Sequence, residues 1–204
     1  MTVLLLGLVL FLGVHSVRIV AEDWRLRQIA ALGEGRWKGV YSLLSAVGLV
    51  LVVWGYGLAR TEPVVLWSPP RGMAHAAALL TLVAFVLLAA AYVPGNAIKA
   101  RLRHPMVLGV KVWALAHLLS NGNLADAVLF GGFLLWAVLC FRAARQRDAR
   151  ALADGVAVGA GSEGAAAGAS LGRTLLTVGV GVAAWMGFAL WAHGALIGVR
   201  PFGG

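Results

Sequence analysis

A chain of 204 residues that is 61% hydrophobic and only 12% charged, with a mean hydropathy of +0.87, carries more apolar length than one water-soluble core can bury. That excludes a soluble globular enzyme and leaves an integral membrane protein. The formal net charge of +9 raises a nucleic-acid reading, but the basic residues sit in short segments between apolar runs, so membrane topology accounts for them and no nucleic-acid partner is expected.

In chain order the apolar runs are Thr2 to Val20, Val40 to Ala59, Met73 to Val93, Met106 to Leu119, Leu124 to Phe141 and Thr174 to Val199. No lysine or arginine stands before the first, which lacks the charged start of a cleaved secretory signal and reads as an uncleaved span. Most approach the ~20 residues that cross the hydrocarbon. The fourth is short and crosses if its flanks dip into the interface or its neighbours shield its ends. The expected fold is all-α, an integral membrane bundle of about six transmembrane helices forming a single domain over residues 1–204, in which glycines such as Gly48, Gly109, Gly132, Gly179 and Gly187 permit close helix contacts. Residues 143–173, with the tract GVAVGAGSEGAAAGAS, form an Ala/Gly-rich cytoplasmic loop with too little apolar bulk for a core, a flexible tether.

Lysine and arginine accumulate on the cytoplasmic side of short loops. Segments 18–39, 94–105 and 142–173 together carry thirteen, whereas Arg60, Arg71 and Arg200 are the three on the other side, with Lys111 inside a span. The first set is therefore cytoplasmic and both termini lie outside the cytoplasm.

The single Cys140 excludes an intrachain disulfide, there is no CxxCH for covalent haem attachment, and all eight acidic residues fall outside the spans or at their edges, so no acidic relay runs through the bilayer. Histidines are the remaining chemistry. His15 lies roughly 7–8 Å inside the cytoplasmic end of the first span at 1.5 Å per residue, and His104 sits on the cytoplasmic surface. His75 near the outer start of the third span and His117 near the outer end of the fourth share a depth, with His193 on the same side. Two imidazoles facing each other at one level are what bis-histidine ligation of haem b requires; singly, each histidine also reads as an interfacial hydrogen-bonding group. Lys111, on the face of His104, either snorkels to the surface or pairs with an anion such as a haem propionate. Tyr41, Ser42 and Ser45 read as interhelical glue, and most tryptophans as interface anchors, with Trp113 one turn from His117.

HSVR at 15–18, RWKGVYSLLS at 36–45, LWSPP at 66–70, RHPMVLGVKVWALAHLLSNGN at 103–123 and AHGALIGVRP at 192–201 together resemble the NnrU family across nearly the whole chain apart from the tether. The resemblance implies a membrane protein of the bacterial inner (cytoplasmic) membrane associated with denitrification, the reduction of nitrite and nitric oxide. It extends to His15, His75 and His117. The family is similar to zeta-carotene isomerase, which uses haem b for a redox-dependent double-bond isomerisation and carries a cysteine where this chain has Ala114.

The expectation is a haem b protein in the lipid bilayer that supports nitrite or nitric oxide reductase components or does redox or isomerase-like chemistry at its own haem. His75 and His117 are the candidate iron ligands, His15 is the rival, and Lys111 and His104 are further cofactor contacts. Two other classes compete. Arg103-His104-Pro105 is similar to a segment of intramembrane S-adenosylmethionine-dependent methyltransferases, although Val107 replaces its tyrosine and no paired glutamates follow; a non-catalytic assembly subunit is the third.

The charge asymmetry predicts that reporter fusions at Glu62 and Asn121 read as periplasmic. Cytoplasmic readings at both positions would overturn the six-span arrangement.

Overall fold

The computed structural model describes residues 1–155 and 168–201. All regular structure among them is helical, and the one β-type pairing is an isolated antiparallel bridge between Val65 and Asn123. Five helices are long and apolar enough to span a membrane, and a sixth, Pro105–Ser120, is shorter. The chain is an all-α membrane bundle. Its contacts divide it into two compact units, Met1–Ser68 with Asn121–Cys140, and Pro69–Ser120 with Phe141–Gly204.

The first unit holds α1 (Thr2–Val20), α2 (Glu22–Leu32), α3 (Glu34–Ala59) and the first part of α7 (Leu124–Ala153). α1 and α3 run antiparallel in a register set by glycine. A Cβ on Gly7 would lie 2.5 Å from the Val52 nitrogen, one on Gly48 would lie 2.8 Å from the Phe11 nitrogen, and one on Gly55 would overlap the Leu4 backbone. Lipid gives helices no hydrophobic reason to associate, so this close approach of backbones supplies the dispersion contact that holds the pair. Leu4 and Leu8 are buried along the seam, and Leu8 and Leu12 also meet α7 beside Gly132.

At the far end of α3, Tyr56 donates to Asp126 Oδ1 at 2.5 Å, and Asp126 Oδ2 accepts from the Asn123 backbone N–H at 3.3 Å and from its amide at 3.1 Å. Asp126 thus serves the exposed donors at the start of α7 and ties that start to α3. The loop after α3 is fastened to the same place, with Leu66 and Trp67 N–H groups donating to the Gly122 carbonyl and Leu124 N–H donating to Val64.

The second unit is built on α4 (Met73–Tyr92), with α5 (Ala97–Leu102), α6 (Pro105–Ser120), the continuation of α7, α8 (Leu171–Gly187) and α9 (His193–Ile197). α6 meets α4 at Gly109, against Ala84, Leu87 and Leu88, while α8 meets it at Gly181, against Val86. Pro105 occupies the first helical position of α6, where a missing N–H costs nothing. The α4–α5 corner is fixed by Asn96, buried to 1% exposure, whose amide donates to the Ala90 and Val93 carbonyls and whose oxygen accepts from Lys99 N–H. The same corner receives the start of α8, through Ser170 N–H to Gly95 and Ala97 N–H to Thr174 Oγ. A π-helical turn, Phe188–Ala192, joins α8 to α9.

Three boundaries differ from expectation. The segment 18–39, expected as a cytoplasmic loop, contains α2, and α3 begins at Glu34 rather than Val40, because ion pairs such as Lys38–Glu34 at 2.8 Å extend helices past the apolar run. α7 continues past Phe141 to Ala153, so the first part of the expected 143–173 loop is helix; its alanines and arginines are strong helix formers. The tract at 156–167 lies outside the described residues.

Gly55→Val should destabilise the α1–α3 pair by about 1–3 kcal/mol, the usual range for overpacking. Gly57→Val, at a position with nothing within 4 Å of an added Cβ, is the control. A lower thermal midpoint in detergent is expected for the first variant alone.

Candidate functional site

Five histidines and one intramembrane lysine set the search, and the structure treats them differently. In the first unit His15 Nδ1 lies 2.7 Å from the Phe11 carbonyl one turn back. A carbonyl only accepts, so Nδ1 carries the proton, and in the neutral ring the lone pair sits on Nε2. Three aromatic rings frame the imidazole, with centroids at 4.3 Å for Phe11, 5.4 Å for Tyr41 and 6.1 Å for Trp136.

These neighbours come from three helices for a periodic reason. Leu4, Leu8, Phe11 and His15 form one stripe of α1, Tyr41, Ser45, Gly48, Val52 and Gly55 one stripe of α3, and Leu129, Gly132, Phe133, Trp136 and Cys140 one stripe of α7. Where the glycine-packed seam ends, the stripes turn polar. Trp136 Nε1 and Ser45 Oγ are buried there without a hydrogen-bond partner; Ser45 Oγ sits near the Tyr41 hydroxyl but outside hydrogen-bonding geometry. Arg25 and Cys140 lie within electrostatic reach of that hydroxyl.

His117 in the second unit repeats the device. Its Nδ1 lies 2.9 Å from the Trp113 carbonyl, and the two rings sit 5.2 Å apart. Ala114 and Ala116 beside it are fully buried. His75 is exposed on the first turn of α4, and among the described residues no hydrogen bond or ring contact holds its side chain. It precedes Ala84, the residue that meets α6, by nine positions, which at 3.6 residues per turn sets it about half a turn away, on the face of Val86 and α8. The expected His75–His117 pair therefore starts from different faces of the α4 environment, with His75 turned from α6.

His104 and Lys111 are engaged by protein groups. His104 Nε2 lies 2.9 Å from Asp148 Oδ2, Arg103 reaches the same oxygen at 3.7 Å, and Lys111 Nζ stands 5.0 Å from the centre of the Phe141 ring. Arg103 adopts a left-handed φ of 61°, a conformation that strains a non-glycine residue. Asp148 is 8% exposed, and it draws both side chains onto the extension of α7. His193 Nδ1 lies 2.6 Å from the Val199 carbonyl, closing the C-terminal hook after α9.

Sequence reasoning set the carboxylates aside as peripheral and so missed Asp126 and Asp148, both buried anchors. An Asn-x-x-Asp spacing at the start of α7 was a readable sign for the first. No local sign existed for Asp148, whose partners stand over forty residues away in sequence.

No group of three or more histidine, cysteine, aspartate or glutamate side chains suited to a metal ion occurs among the described residues; a haem would ask instead for an oriented imidazole, which His15 and His117 each offer within their own unit. No curated protein and no solved structure matches the chain. The family model for NnrU proteins matches residues 3–201, across both units. That match fits a denitrification-associated, multi-pass membrane protein, and the chain belongs to the NnrU family.

Proposed function

We propose that this protein binds haem b in the bacterial inner membrane and supports nitrite or nitric oxide metabolism. The observation that carries the reading is the tautomer fixed on His117 and on His15. In each case a backbone carbonyl one turn back accepts from Nδ1, which orients the ring and leaves the coordinating lone pair on Nε2. A histidine that ligates a metal is normally held in this way by its other nitrogen.

When bound, haem supplies a one-electron redox centre whose potential is tuned by its axial ligands and surroundings. The chain's own residues do the rest. Trp113 and His117 present a ring pair beside the fully buried Ala114 and Ala116, which keeps water from that stretch of α6. Phe11, Tyr41 and Trp136 hold His15 in an aromatic frame of low polarity. His75 lacks such an anchor, so the local geometry favours His117 in the second unit, with His15 in the first as the rival ligand. His104 and Lys111 serve Asp148 and Phe141 in this reading and hold the cytoplasmic extension of α7. Reductase components of the same respiratory chemistry are the partners proposed.

The test is the absorption spectrum of purified, haem-supplied protein and of His117→Ala, His15→Ala and His75→Ala. Wild type should show a Soret band, and the His117 variant should lose the haem or change its spin state, because axial identity governs haem electronics. Spectra unchanged in all three variants would sink the assignment, and a wild type without a Soret band would sink the haem reading itself.

A further inference from the structure

The first unit contains a set of hydrogen-bond donors with nothing to donate to. An indole N–H is a donor only, and Trp136 Nε1 is buried without an acceptor on a membrane-spanning helix. Ser45 Oγ shares that condition. Leaving such groups unsatisfied in a medium without water is costly, and an orphan in a native fold points to an acceptor that the chain does not itself supply. The Trp136 ring stands 6.1 Å from the His15 ring, and Ser45 neighbours Tyr41, whose ring lies 5.4 Å from the same imidazole. The Tyr41 hydroxyl adds a third donor, and Arg25 brings positive charge, partly offset by its 3.0 Å bond to Glu22. Glu22 Oε2 is also buried without a partner, but as an acceptor it belongs to the α1–α2 turn with Arg18 and Arg25.

A site rich in donors, next to an imidazole lone pair, wants a ligand that brings both a coordinating centre and a carboxylate. We infer that Trp136 Nε1, with Ser45 Oγ and the Tyr41 hydroxyl, receives a propionate of a haem held by His15. The inference rests on the haem reading above and adds the residues that take the carboxylate. Lys111, for which a propionate was one of two sequence readings, is instead directed to Phe141. The location also suits the charge. These donors sit at the Arg-rich end of α1 and α3, near Arg25, where a carboxylate meets positive potential rather than the apolar middle of the bundle.

The experiment titrates the haem-free full-length protein in nanodiscs with hemin and with hemin dimethyl ester, which lacks free carboxylates, following the Soret band. Trp136→Phe keeps a ring and removes the donor; Ser45→Ala is the second variant and leaves all rings in place. Trp136→Phe should weaken hemin binding about tenfold, the usual scale for a hydrogen bond to a charged group, and should leave ester binding equal to wild type. Ser45→Ala should act in the same direction by a smaller factor. Unchanged hemin affinity in both variants overturns the inference. An equal loss for hemin and ester also overturns it, since that pattern reports packing rather than a carboxylate contact. A spectrum unmoved by His15→Ala places the haem elsewhere and overturns the inference while the haem reading stands, whereas no Soret band in wild type ends both.

Discussion

A polar side chain inside hydrocarbon has no water to turn to, and this chain answers with its own backbone. His15, Ser16, His117, Ser120 and Thr177 each bond to the carbonyl one turn earlier, on Phe11, Leu12, Trp113, Ala116 and Arg173. The carbonyl's second lone pair is enough to satisfy them without breaking the helix. For a serine or threonine the effect ends there. For histidine it decides which nitrogen carries the proton, and so converts a solubility problem into a chemically defined ring. The atoms that do not find such a partner, Trp136 Nε1 and Ser45 Oγ, stand out against this background.

Packing follows a related logic. The antiparallel α1–α3 pair is close because glycines remove side chains where the backbones meet, and the two-sided burial of α4 uses Gly109 and Gly181 in the same way. Small residues and local hydrogen bonds therefore replace the hydrophobic core of a soluble protein. Large apolar side chains such as Leu6, Val50, Val53 and Trp54 face outward instead, at 60%, 64%, 65% and 58% exposure, as a lipid solvent requires.

The spans were legible because hydrocarbon imposes one strong rule: long apolar runs became helices at nearly the expected residues, from Thr2–Val20 to Met73–Tyr92. Helix that is not apolar was invisible to that rule. α2 and the extension of α7 are stabilised by ion pairs, helix propensity and contacts such as His104–Asp148, none of which hydropathy records. Of the candidate residues, the depth of each histidine could be counted from the span ends, but facing could not. Counting puts His75 at the depth of His117, while the angular repeat of α4 turns it toward another face. Gly48 and Gly109 were read correctly as close contacts, while Gly179 and Gly187 have nothing within 4 Å of an added Cβ; Gly181, two residues on from the former, is the one that meets Val86. A glycine's role depends on which face its neighbour takes, and sequence spacing alone does not say.

The corner at residues 95–97 carries a consequence for how this chain tolerates change. Ser170 and Thr174 are bonded to Gly95 and Ala97, and Arg173 packs on Gly95, so the position of α8 is fixed by a corner more than seventy residues upstream. The covalent route to α8 is thereby relieved of any positional duty. The last span therefore answers to a polar corner laid down early in the chain, and Ser170 and Thr174 are the residues through which it does so.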